Sequence, residues 1–177
     1  FESTEPTGAV FGATGLKVVA SDVTFATPVQ ANFLTTTTSA QTTFTQALNI
    51  TAGLTVVAGA DVLAQSTVTL GQMDLQSGHD VNFAQPLQVG AQGMVLVAAN
   101  VVDFQQTVTV AGVMSVSASE LKAYASVNAG GLVWQVVNDI SIHASPTVVG
   151  TMGSGDTGLL KLISQQGKID FVDQDFE

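Results

Sequence analysis

The chain has 177 residues, enough for one domain with a hydrophobic core or for a stack of short repeats. It contains four Lys, no Arg and 14 acidic residues, which gives a net charge of -10. We expect no nucleic-acid partner, because neutralising phosphates requires clustered Lys and Arg. Because the chain has no Cys, disulfide frameworks and cysteine-based metal sites are excluded.

The composition favours a folded β-protein. Hydrophobic residues make up 46% of the chain and charged residues 10%, a balance that excludes a disordered acidic tail. There are 26 Val and 21 Thr but one Trp and one Tyr, and β-branched residues favour strands. No apolar run approaches the ~18 residues of a membrane helix, so we expect no membrane span. Scarce Lys and abundant Thr and Gln favour an exported protein, so we expect an extracellular or cell-surface location.

The first 15 residues differ from the rest of the chain. They are rich in Thr, Gly and Glu and lack the repeated pattern that begins at Leu16. We predict that residues 1–15 form an N-terminal cap or a segment that docks on a neighbouring subunit. Residues 16–177 are predicted to form one solenoid domain.

From Leu16 onward one sequence pattern recurs. An apolar residue and a large apolar residue are followed by small or amide residues and then by an alternating apolar pair. The clear copies are Val23–Val29, Thr42–Leu48, Val62–Val68, Val81–Leu87 and Val102–Val108; weaker copies are Leu121–Val127 and Ile140–Pro146, and a degenerate last copy is Ile169–Asp175. This period-two alternation predicts short strands, and it contradicts the i, i+3, i+4 spacing of a helix.

The central residues of these copies lie at nearly equal intervals. They occupy positions 25, 44, 64, 83, 104, 123, 142 and 171, at intervals of 19, 20, 19, 21, 19, 19 and 29 residues. About 19 residues are too few for a strand plus a crossover helix, but they form one solenoid turn with a perimeter of roughly 60 Å. The sequence therefore predicts an all-β, single-stranded parallel β-helix of about eight coils of 19–21 residues.

Stacking of these coils in register predicts files of side chains along the rod. The first inward file is Phe25, Phe44, Ala64, Phe83, Phe104, Ala123, Ile142 and Phe171. The second inward file is Val29, Leu48, Val68, Leu87, Val108 and Val127. The outward file beside it is Gln30, Asn49, Thr69, Gln88, Thr109, Asn128 and Thr147, whose amides and hydroxyls are predicted to form ladders. We also expect Trp134 to align with the inward Val56, Leu75 and Leu96, and Tyr124 to stack on His143.

This repeat resembles the parallel β-helix of filamentous-haemagglutinin and autotransporter-passenger adhesins. Those families are built from degenerate repeats of about this length with the same alternation, and the similarity covers nearly the whole chain from Leu16 onward. The resemblance implies a right-handed, extended, extracellular rod. The chain departs from the families in having few Asn-Gly turns and no recognisable translocator segment.

A Gly-rich insertion at 150–158 accounts for the long last interval. Residues 153–158 match the G-x-G-x-x-G pattern of dinucleotide sites, but such a site needs a helix directly after the motif. The following segment, Leu159–Ile163, is short and strand-like. We therefore interpret 150–158 as a loop that bulges from one coil.

The sequence predicts no catalytic, cofactor-binding or metal-binding residues, and no cofactor. Asp139, Ser141, His143 and Ser145 would share one outward strand face, but side chains at i and i+2 point in parallel and rarely converge. His79 stands alone in a turn, far from the second His in sequence, so a transition-metal site is not predicted.

Four acidic residues crowd the C-terminal end: Asp170, Asp173, Asp175 and Glu177. Alternate carboxylates on a strand repel one another unless a cation lies between them. Calcium binding is thus the alternative to a solvated acidic end that discourages unwanted stacking.

These features predict a non-enzymatic extracellular protein with a structural or adhesive role. A β-helix exposes unpaired backbone groups at both ends, which favours head-to-tail self-association into a fibre, or membership of a longer rod. A cell-surface or glycan ligand is the other expected partner. One alternative is a carbohydrate-binding or carbohydrate-active β-helix, which the absence of Arg disfavours. Another is an ice-binding protein, for which Thr67-x-Thr69 and Thr107-x-Thr109 recur on too few coils.

Overall fold

The computed structural model describes residues 9–10, 15–144, 146–148 and 159–172. Within these ranges the chain forms strands and turns and no helix. The strands, in chain order, are β1 (Ala9–Val10), β2 (Leu16–Ala20), β3 (Val23–Phe25), β4 (Val29–Thr38), β5 (Thr42–Phe44), β6 (Leu48–Ala58), β7 (Val62–Ala64), β8 (Val68–Leu70), β9 (Met73–Ser77), β10 (Val81–Phe83), β11 (Leu87–Val89), β12 (Met94–Ala98), β13 (Val101–Phe104), β14 (Val108–Ala118), β15 (Glu120–Ala123), β16 (Val127–Val136), β17 (Ile140–Ile142), β18 (Thr147–Val148), β19 (Leu160–Ser164) and β20 (Ile169–Phe171).

The strands form two parallel sheets that the chain visits alternately. The short-strand sheet has the order β20-β17-β15-β13-β10-β7-β5-β3, one strand from each pass of the chain. The other twelve strands form the larger sheet, in which each pass adds one long strand or two shorter ones. The fold is a parallel β-solenoid of about seven turns, which confirms the predicted β-helix and comes close to the predicted eight coils.

Alternating apolar residues form this stack because every second side chain of a strand points inward. The paired residues reproduce the predicted files: Phe25 pairs with Phe44, which pairs with Ala64, and the series continues to Phe171. The second inward file and the outward file beside it are paired as predicted as well. The described side chains of the outward file make no hydrogen bonds with one another, so the predicted ladders do not form.

The core contains two stacked pairs of phenylalanines separated by an alanine. The ring centroids of Phe25 and Phe44 are 5.0 Å apart, and those of Phe83 and Phe104 are 5.6 Å apart. Ala64 lies between the two pairs and is buried. Trp134 is fully buried and shares the file of Val56, Leu75, Leu96 and Val116, as expected.

The regular pairing of the larger sheet is disturbed at the same place in successive passes, and we call this place the junction. There the pairing register of β4 shifts between Ala31 and Phe33, and that of β14 shifts between Val110 and Val113, although both strands continue. At the same place β8 ends before β9, and β11 ends before β12. We call the strand segments before the junction the first half of the larger sheet and those after it the second half.

The extra residues of the longer coils lie at the junction. The coil of β6 has one more residue there than the coil of β4, which makes its interval 20 rather than 19. Gly90 to Gly93 form a turn between β11 and β12 that lengthens its coil to 21, and Gly93 has a φ of 79°, which L side chains rarely adopt. The predicted insertion 150–158 also falls there, between β18 and β19, but it lies outside the described residues.

The predicted N-terminal segment 1–15 lies almost entirely outside the described residues as well. Its described part includes β1, whose residues pair with Val29 and Gln30 at the start of β4. The described ranges include no helix of the length and apolar character that crossing a membrane would require.

Candidate functional site

The bend before a short strand is called a corner here, and at four of the corners an aspartate binds the backbone of the next coil. Asp22 Oδ1 accepts the N–H of Gln41 at 3.1 Å, and Asp139 Oδ1 accepts the N–H of Lys168 at 2.9 Å. Each carboxylate thus satisfies a backbone donor that lies directly before a strand of the next coil.

Two of these corner aspartates come from consecutive coils, and His79 lies between them. The Nδ1 atom of His79 is 2.8 Å from Asp61 Oδ1 and 3.3 Å from Asp80 Oδ2. Asp61 Oδ1 also accepts the N–H of Asp80 at 3.1 Å. Asp80 Oδ1 in turn accepts Asn100 Nδ2 at 2.8 Å and the N–H of Val101 at 3.0 Å.

The two carboxylates change the acid–base behaviour of His79. The hydrogen bond to Asp61 raises the pKa of the imidazole above its ordinary value of 6.5, and the charge of Asp80 raises it further. The expectation that His79 stands alone is therefore corrected. Asp61 and His79 are 18 residues apart in sequence, and they are in contact because they lie at the same corner of adjacent coils. The contact could have been predicted from the repeat length, since Asp61 and His79 lie nearly one period apart.

A shallow surface depression follows the outward file of the first half of the larger sheet. One part, of about 380 Å³, is lined by Thr69, Gln88, Thr109 and the backbone as far as Gly90. A second part, of about 230 Å³, shares Thr109 and extends along Asn128 to Gly130. The depression thus runs along the rod beside the junction, with amide and hydroxyl groups on one side.

The second half of the larger sheet presents an outward surface of small and β-branched side chains. Thr35 and Thr37 of β4 pair with Thr55 and Val57 of β6, and Val97 of β12 lies in the same outward file as Val57. Strand β9, which lies between β6 and β12, presents Asp74 and Gln76 at these positions and so interrupts the threonine pattern. The predicted Thr-x-Thr motifs do not lie on this surface. Thr69 is the single outward residue of β8, and Thr109 lies in the part of β14 before the junction, so both are in the first half.

The C-terminal end of the stack leaves core positions uncovered. Leu160 continues the inward file of Leu132 and is 50% exposed, whereas Leu132 is fully buried. Ile169 continues the file of Ile140 and is 37% exposed, whereas Ile140 is fully buried. At the other end of the short-strand sheet, Phe25 is buried. The last described coil therefore presents apolar side chains at positions that belong to the core in earlier coils.

The remaining residues weighed from the sequence have separate surroundings. His143 stacks on Tyr124 with ring centroids 4.6 Å apart, as predicted, and Ser141 pairs in register with Lys122 and Asp170. Asp139 binds the backbone of the next coil, and Ser145 lies outside the described residues.

Of the acidic C-terminal group, Asp170 is the one described member. Its Oδ2 atom is 2.8 Å from Lys168 Nζ, and this contact raises the pKa of the Lys168 amine. Asp173, Asp175 and Glu177 lie outside the described residues.

Comparison with protein-family models, curated proteins and solved structures gives no match to this chain. The solenoid is therefore established by the structure, and the resemblance to adhesins stays an interpretation of the repeat pattern.

Proposed function

We propose that the protein is a non-enzymatic, extracellular structural or adhesive rod of the adhesin-like β-helix type. It joins through its C-terminal end either to the next copy in a head-to-tail fibre or to further coils of a longer rod. The fold supports a mechanical role, because every coil hydrogen-bonds only to its neighbours and the stack is quasi-one-dimensional. The acidic, Lys-poor composition supports an exported location.

The exposure of the last coil is the observation on which this proposal rests. Leu160 and Ile169 occupy positions that are fully buried one coil earlier, so covering them removes apolar surface from water. Among the described residues, β19 pairs with β16 alone and β20 pairs with β17 alone, so each sheet ends there. A further parallel coil would cover these apolar side chains and would add a strand to each sheet, because it would extend the inward files and both sheets.

The test is assembly of the purified chain at rising concentration, followed by sedimentation and electron microscopy. We expect the wild-type chain to form rods longer than one monomer. Leu160→Lys and Ile169→Lys should abolish this growth, because each places a charge on the uncovered core positions. The matched control is Val95→Lys, which changes an exposed valine on the outward surface of β12 and should assemble normally.

Discrete monomers at high wild-type concentration would overturn the self-association part of the proposal. Equal assembly by the wild type and Leu160→Lys would show that the contact between copies does not involve the C-terminal end, which contradicts the proposal. Circular dichroism of each variant checks that the solenoid is intact, so that a loss of assembly is not a loss of fold.

The depression beside the junction favours a second candidate function, the binding of a glycan. In repeat proteins, insertions into individual repeats cluster on one face, and that face is often the binding face. The turn from Gly90 to Gly93 between β11 and β12 lengthens one coil at the junction, and Gln88 and Thr109 line the depression next to it. A glycan array should show binding that Gln88→Ala weakens at least tenfold, whereas Gln76→Ala on the second half leaves it unchanged.

A further inference from the structure

We propose that Asp61, His79 and Asp80 form a binding site for one Zn²⁺ ion that joins two consecutive coils. The three side chains each offer one ligand atom, and these atoms all lie within 4.8 Å of one another. The site lies on the corner before β7 and β10, away from the C-terminal end and from the junction. The inference is independent of the proposed structural role.

The spacing of the ligand atoms suits a tetrahedral ion. Zinc bonds to nitrogen and oxygen are about 2.0–2.1 Å long, so two ligands of a tetrahedral zinc lie about 3.3 Å apart. His79 Nδ1 is 2.8 Å from Asp61 Oδ1 and 3.3 Å from Asp80 Oδ2. Two of the three ligand pairs are thus within about 0.5 Å of the tetrahedral spacing, and the third lies within 4.8 Å. A bound ion would draw the three atoms together and leave its fourth position open to water.

Both carboxylates are held in place by groups other than the histidine. The N–H of Asp80 orients Asp61, while Asn100 Nδ2 and the N–H of Val101 bind the Asp80 oxygen that does not face His79. The backbone N–H of His79 donates to Ser77 Oγ, which fixes the start of its side chain. Hydrogen bonds of this kind around metal ligands orient them and raise affinity.

The donor set favours zinc over calcium. Calcium takes six to eight oxygen ligands, whereas an imidazole nitrogen with two carboxylates is typical of zinc and its transition-metal neighbours. The ligands come from two coils, because Asp61 precedes β7 and the other two precede β10. A bound ion would therefore connect coils whose short strands pair directly.

The test is calorimetric titration of the metal-free full chain with ZnCl₂ at pH 8, because zinc displaces the proton of its imidazole ligand and binds better at higher pH. We expect saturable binding of one ion per chain and a rise in melting temperature, with no comparable response to CaCl₂. His79→Gln and Asp61→Asn should each weaken binding at least tenfold. The matched control is His143→Gln, which removes the other histidine and should bind zinc like the wild type.

Three outcomes would overturn the site: no zinc binding by the wild type, equal binding by His79→Gln, or loss of binding in His143→Gln. Melting of each variant in the presence of a chelator shows whether its fold is intact. Unchanged melting of His79→Gln in chelator, together with lost zinc binding, would support the assignment directly.

Discussion

His79 illustrates how stacking gives a single residue its chemistry. The imidazole lies between carboxylates of two coils, and both raise its pKa above the ordinary 6.5. When a folded-state pKa exceeds the unfolded value, protonation contributes stability. That contribution is complete below about pH 6.5 and is lost as the pH rises through the folded-state pKa.

We therefore expect the side-chain NMR titration of His79, in the presence of a chelator, to have its midpoint above pH 6.5. Replacing Asp61 with Asn should lower the midpoint towards the ordinary value, because the largest cause of the shift is removed. A wild-type midpoint at or below 6.5 would show that the contact with Asp61 does not persist in solution.

The corner aspartates lead to a prediction about stability. Asp80→Ala removes the acceptor of both Asn100 Nδ2 and the N–H of Val101. Because the Asp80 side chain is 37% exposed, water replaces part of the lost interaction, and we expect a loss of about 1 kcal/mol in urea unfolding.

Asp74→Ala is the matched control for Asp80→Ala. Asp74 is an exposed outward residue in the middle of β9, so its replacement should change stability by less than about 0.5 kcal/mol. Equal losses of stability in the two variants would mean that the hydrogen bonds of Asp80 stabilise the fold no more than an ordinary exposed aspartate does.

Among the strands and turns, the corners after the second half of the larger sheet impose the tightest backbone constraint. A Cβ atom at Gly59 would lie 2.1 Å from the carbonyl oxygen of Ser39, and one at Gly78 would lie 2.1 Å from that of Gly59. These glycines are required because two coils approach one another backbone to backbone.

Gly59→Ala should therefore destabilise the protein by about 2 kcal/mol or more, since the obstacle is backbone of the preceding coil. The control is Gly53→Ala, whose Cβ would meet the ring of Phe33 at an ordinary 3.5 Å. Gly53→Ala should be as stable as the wild type or slightly more stable. Thermal unfolding of both variants measures the difference, and similar melting temperatures would contradict the close approach.

At the scale of elements, the sequence predicted the strands better than their connections. The period-two alternation located the short strands and the inward files, because burial selects every second residue of a strand. It did not show that β4, β6 and β14 continue through the junction while β8–β9 and β11–β12 separate there. That difference depends on how each coil accommodates extra residues above its neighbour, as at Gly93.

For the whole molecule, the parallel stack means that coils differ mainly in how many neighbours they have. Central strands such as β10 pair on both sides, whereas β20 pairs on one side only among the described residues. The exposed Ile169 reflects this difference. Local stability should therefore fall towards the C-terminal end.

Native-state hydrogen exchange should show this gradient. We expect the amides of β19 and β20 to exchange faster than those of β10 and β13, because the last coil opens without disturbing the others. In conditions where the chain assembles, protection of β19 and β20 should rise selectively. Uniform protection along the unassembled chain would indicate all-or-none unfolding instead.

The sequence by itself determined the repeat, the parallel stacking and the composition of the inward files, because a period near 19 and a strand alternation of two leave few other ways to bury the apolar residues. Only the tertiary structure decided which polar residues meet. Asp61 and His79 are brought together by the rise of one coil, and Leu160 and Ile169 are exposed because no described coil lies beyond them. Contacts between coils depend on the exact register at each corner, and a repeat pattern constrains the average coil rather than any single corner.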